Sequence, residues 1–93
     1  MVEMVGNNLG EFMNIEISPK EYWKELNYYD GILYCSLLVI DGVNDWRMMT
    51  NREWRIDGVD IQKDFRDVWL VDDVEQYPDM VHMLNCIIPV RSI

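Results

Sequence analysis

The chain has 93 residues, of which 49% are hydrophobic and 12% aromatic. That suffices for one ordered domain with a small core, and it is too apolar for a disordered segment. Seventeen acidic against eight basic residues give a net charge of −9 and a pI near 4.3; this argues against direct binding to nucleic acid or to an anionic membrane surface, and suits a basic partner or simply a solvated acidic surface. No apolar run approaches the ~18 residues of a membrane-spanning helix, and the opening MVEMVGNNLGEF lacks the basic-then-apolar order of a secretory signal.

The chain shows no repeat, linker or low-complexity stretch, so residues 1–93 form a single domain. Residues 1–10 read as a loose start, broken by Gly6, Asn7, Asn8 and Gly10. Residues 12–17 (FMNIEI) alternate as a strand, with Met13, Ile15 and Ile17 on one face. In SPKEYWKEL, Ser18 suits an N-cap, Pro19 the first helical position and Glu21 a capping box. A short helix is expected there, with Tyr22, Trp23 and Leu26 on its apolar side, ended by NYYDG. Residues 32–40 (ILYCSLLVI) carry no charge, which suits a buried strand; periodicity alone does not separate this from a buried helix. Asp41-Gly42 and Asn44-Asp45 mark turns. Residues 46–49 return as a short strand. Thr50-Asn51-Arg52-Glu53 is a second capping box, so a helix starts after Thr50 and is broken at Gly58. Residues 65–71 and 81–90 read as strands, with Pro89 at an edge or a bulge. Strands and short helices without strict alternation predict an α+β domain: a small antiparallel sheet with two short helices.

Few residues offer chemistry. Cys35 and Cys86 both lie in apolar runs; one disulfide between them is possible, and without a secretory signal two reduced core thiols are the favoured reading. The single histidine, His82, reads as half-buried, on one strand face with Leu84, Cys86 and Ile88. His82 and Cys86 would then stand about 13 Å apart, too far for a base and its nucleophile. No phosphate loop, nucleophile elbow or HExxH occurs, so no catalytic residue and no cofactor are assigned. Asp57, Asp60, Asp64 and Asp67 recur three or four apart and would stripe one helix face; they lack the alternation and closing glutamate of a calcium loop, so no metal site is assigned. Trp46 reads as core, and Arg47 as an internal tie to Glu53 or Asp45. Trp54 is the aromatic best suited to an interface.

YCSLLVIDGVNDWRMMTNREW resembles the segment YCxxLxxxGxxDWRLPTxxEL of a family of bacterial and phage domains related to the C-type lectin fold. Tyr34, Cys35, Leu38, Gly42, Asp45, Trp46, Arg47, Thr50 and Glu53 fall in register. Val68-Trp69-Leu70 and Pro89-Val90-Arg91 take the places of the family's aromatic strand and its closing V-R. Met49 stands where the family has proline, and Trp54 where it has leucine. The resemblance implies a truncated C-type-lectin-like fold, with Trp46, Arg47, Thr50 and Glu53 in structural roles. In size and charge the chain is also similar to the anti-restriction DNA-mimic proteins of T-even-type phages.

The charge is concentrated. Residues 57–79 hold eight acids (Asp57, Asp60, Asp64, Asp67, Asp72, Asp73, Glu75 and Asp79) and two bases (Lys63 and Arg66), a net −6. Carboxylates three or four apart on a helix match phosphate spacing to within a few ångströms. The expectation is a non-enzymatic, phage-type acidic inhibitor in the host cytoplasm. It would bind the basic surface of a host DNA-binding protein, such as a restriction or defence nuclease, by DNA mimicry, with a homodimer lengthening its acidic surface. The alternative is a lectin-like ligand-binding or assembly module of a phage.

Overall fold

The computed structural model describes residues 15–93; the expected loose start and positions 12–14 of the first strand lie outside them. Within that span the domain is α+β, with short strands in a mainly antiparallel arrangement and short helices. Strand β1 (Ile15–Ile17) and strand β3 (Arg47–Met48) flank the central strand β5 (Pro89–Ser92). Both pair with it antiparallel, Ile17 and Arg47 opposite Val90 and Met48 opposite Pro89. A second, two-stranded ladder joins β2 (Lys24–Leu26) to β4 (Asn85–Ile87). Only Ile88 separates β4 from β5, so one C-terminal run serves both ladders.

The pleat divides the core in two. Consecutive strand residues point to opposite faces, and Met48 and Met49 go to different clusters, as do Ile87 and Ile88. One cluster gathers Ile15, Met49, Val68, Leu70, Ile88 and Val90, bordered by Trp23, Trp54 and Phe65. The other gathers Tyr28, Cys35, Met48, Trp69 and Ile87. Helix α1 (Tyr28–Leu37) packs over the second cluster through Gly31, where a Cβ would overlap the Ile87 Cδ1. Glycine is needed there for close approach of helix and sheet.

Several elements differ from expectation, each for a tertiary reason. SPKEYWKEL forms a single 3-10 turn (Lys20–Tyr22) and then β2. Ser18 does not cap a helix; its Oγ donates to the Pro89 carbonyl at 2.7 Å and its N–H donates to the same oxygen at 3.0 Å. Trp23 Nε1 donates to the Ser18 carbonyl, which turns the indole into the first cluster. Asn27 starts a helix where an end was expected, its side chain accepting the Asp30 N–H at 2.8 Å. Residues 32–40 accordingly lie mostly in a helix and not in a strand. Their uncharged run masked the helical period because both sides of α1 are apolar. Residues 65–71 form no strand and hold one parallel bridge, Val68 to Cys86, and residues 81–83 are a turn, so the last strand begins at Asn85. Pro89 stands in the middle of the sheet and not at its edge. As the first residue of β5 it loses no ladder donor.

The segment around Thr50 forms as expected. Helix α2 (Asn51–Asp57) has its full capping box and closes on Gly58. Asp41 and Gly42 both have positive φ, 51° and 83°, in the turn that joins Ile40 to Val43 by two hydrogen bonds, the backbone preference of a tight hairpin. No helix among the described residues is long and apolar enough to cross a membrane.

Candidate functional site

Residues 45–53 close on themselves and on the last strand. Arg47 Nη1 and Nη2 donate to the two Glu53 oxygens at 2.9 and 2.8 Å, and Nη2 also donates to Ser92 Oγ at 2.9 Å. The Thr50 N–H donates to Glu53 Oε1 at 3.0 Å, and Thr50 Oγ1 accepts the Glu53 N–H at 3.1 Å. One carboxylate therefore takes a bidentate guanidinium and caps a helix. Hydrogen bonds from Arg47 hold Glu53 below the usual carboxylate range, and the same pair raises Arg47. Asp45 accepts from Arg91 Nε at 2.7 Å and Nη2 at 3.3 Å, while Arg91 Nη1 reaches Glu16 at 3.1 Å. Trp46 is buried, with Nε1 donating to the Val43 carbonyl. Arg47 thus takes Glu53, and Asp45 takes Arg91.

The acids of residues 57–79 do not share one helix. Asp57 ends α2, Asp60 and Asp64 flank the 3-10 turn Ile61–Lys63, and Asp67 lies beyond it, next to the Val68 bridge. The expected single stripe therefore does not form, because Gly58 and two turns redirect the chain. Asp72 and Asp73 are also withdrawn from a partner-facing surface. Asp72 Oδ1 accepts the Asn51 N–H at 3.0 Å and Asn51 Nδ2 at 2.7 Å. It thereby satisfies a donor at the start of α2 and complements that helix's positive end. Asp73 is buried and accepts the Leu70 N–H at 3.0 Å, at the head of helix α3 (Asp73–Gln76). Asp60, Asp64, Asp67, Glu75 and Asp79 are exposed. Of these only Asp60 has a salt bridge among the described residues, to Lys63 at 3.5 Å.

Trp54 is half-buried: it borders the first cluster and is one wall of an open cleft of about 430 Å³. The other walls include Trp69, Tyr77, Met80 and Met83, with Arg66 and Asp67 also in the lining. His82 is exposed in the 81–83 turn and not half-buried on a strand, so no shared strand face links it to Cys86. Both cysteines are free thiols. Burial pushes Cys35 up to about 12, and burial followed by the nearby Glu25 raises Cys86; neither is tuned toward a nucleophilic thiolate. Among the described residues, no group of three or more His, Cys, Asp or Glu side chains is arranged to hold a metal ion.

Sequence reasoning missed two features. The Asn51–Asp72–Asp73 knot joins residues more than 20 apart, and nothing local announces it. The outward face of α1, with Tyr29, Leu33 and Leu37 exposed, was hidden by taking residues 32–40 as a strand. The Asn27-x-x-Asp30 cap was the signal that could have found it. No family model, curated protein or solved structure matches the chain.

Proposed function

We propose that the domain is a non-enzymatic, phage-type acidic inhibitor in the host cytoplasm. It binds the cationic groove of a host DNA-binding protein, a restriction or defence nuclease, in place of DNA. The observation that carries this reading is the set of exposed carboxylates on residues 57–79, four of them (Asp64, Asp67, Glu75 and Asp79) without a salt bridge among the described residues, in a chain of net charge −9. These acids stand on several short elements and not on one ruled helix. The summed field of these carboxylates, more than one-to-one phosphate spacing, supplies the attraction. Such a field speeds association with a basic groove and weakens as salt rises. The test is retention of host-lysate proteins on the immobilised domain across a salt series, with duplex DNA as competitor. Retained proteins should elute with salt and with DNA, and changing Asp60, Asp64, Asp67 and Asp79 together to Asn should abolish retention. Retention that survives both the substitutions and the DNA sinks the reading.

The second reading is a lectin-like ligand-binding or assembly module. It is favoured by the ties within the DWR-to-VR pattern: Arg47 to Glu53, Thr50 to Glu53, and Asp45 to Arg91. Those ties give the shared residues one scaffolding role, as expected of a common fold. A rise in melting temperature with calcium or sugars, insensitive to salt, would support it.

A further inference from the structure

Helix α1 is apolar on two sides. Its inner side, with Tyr28, Gly31 and Cys35, packs on Met48, Trp69 and Ile87. On its outer side Tyr29, Ile32, Leu33 and Leu37 are 61, 38, 56 and 71% exposed. A surface helix ordinarily places polar residues there. Its only charged residue is Asp30, in the first turn. Contiguous exposed apolar surface of this kind marks an interaction site.

We propose that this face docks a second copy of the chain, the two α1 helices crossing antiparallel about a two-fold axis beside Leu33. Tyr29, Leu33 and Leu37 are spaced by four, which makes one ridge along the helix. A two-fold axis through its middle sets Leu33 against Leu33 of the second copy and Tyr29 against its Leu37, so the ridge is complementary to itself. With Val39, 59% exposed just beyond the helix, the patch offers on the order of 500 Å² per copy. The pair would bury about 1,000 Å², the lower bound for a specific interface. Charge favours the same occupant. A cationic partner drawn by residues 57–79 finds beside this ridge only Asp30, whose carboxylate already accepts from Asn27. Two copies of net charge −9 repel through most of their surfaces, and a helix whose only charge is Asp30 at one end is where they approach at least cost.

The proposal carries a salt signature. Screening shortens the repulsion between copies, so the dimer tightens as salt rises, opposite to binding of a basic partner. Sedimentation equilibrium of the full chain, at ~1 to ~200 μM and at ~50 and ~500 mM NaCl, should show a dimer that strengthens with salt. Leu33→Glu should weaken it at least ~10-fold, while Val59→Glu, at an exposed position beyond α2, leaves it intact. Circular dichroism checks that each variant is folded. A separate measurement avoids charge altogether: under mild oxidation Leu33→Cys should give a covalent dimer and Val59→Cys should not. A chain that stays monomeric at ~200 μM in both salts overturns the proposal, because an interface of this size should populate by then. So does a dimer indifferent to Leu33→Glu, or equal cross-linking from positions 33 and 59.

Discussion

Residues 45–53 and residues 57–79 are both dense in charge, each with one tryptophan, and the fold treats them oppositely. In the first, Asp45, Arg47 and Glu53 each find a partner of opposite sign, in the segment or on β5. In the second, eight acids face two bases. Most of its carboxylates stay at the surface, and the two that turn inward, Asp72 and Asp73, do so onto neutral amides of Asn51 and Leu70. Charge matched within reach of the backbone becomes structure. Charge in excess of such partners mostly stays at the surface.

Substitutions can break or sharpen that contrast. The largest effect is expected from Arg47→Met, which strips the bidentate partner from a half-buried carboxylate. It should cost about 2 kcal/mol and lower the melting temperature by roughly 10 °C in a thermal melt. Asp73→Ala comes next, at about 1–2 kcal/mol, because it leaves the Leu70 N–H without its acceptor and removes an acceptor of Asn51 Nδ2. Such a loss would mark Asp73, beside Asp72, as structural in a segment whose other described acids are mostly exposed. Acid lability should be smaller still. Arg47 holds Glu53 below the ordinary carboxylate range, so its contribution is complete above an unfolded pKa of about 4.3 and lost as pH falls through the lower folded value. Melts from pH 6 down to pH 2 should show that loss in the parent chain and a flatter profile in Arg47→Met. The smallest effect belongs to the fourfold change of Asp60, Asp64, Asp67 and Asp79 to Asn. Removing four like charges from the surface relieves self-repulsion, so the melting temperature should hold or rise. A marked drop would show that the open segment is structural after all.

Local signals hold where no distant group competes for them. Thr50 to Glu53 is a capping box whose donors and acceptors lie within four residues, and α2 forms where it says. Asp41-Gly42 fixes its own backbone in the same way. The alternation of Ile15, Glu16 and Ile17 survives as β1. The failures share a cause. Ser18, Pro19 and Glu21 spell a helix start, yet the Pro89 carbonyl, 71 residues away, claims the Ser18 hydroxyl. Residues 32–40 are apolar all round, so no period could declare the helix that packs on Met48 and Ile87. The regular stripe from Asp57 to Asp67 required one helix, and Gly58 with the turns after it supplied several short elements.

The sequence by itself therefore determined the α+β class, the acidic excess, the turn at Asp41-Gly42, and the cap that starts α2. Each is set by composition or by groups a few residues apart. Only the tertiary structure decided that β5 is central, that Asp73 is internal while Asp67 is exposed, and that α1 presents a second apolar face. Those outcomes depend on which distant donor or cavity competes for each group. A short stretch of sequence carries its own preferences and no record of its competitors.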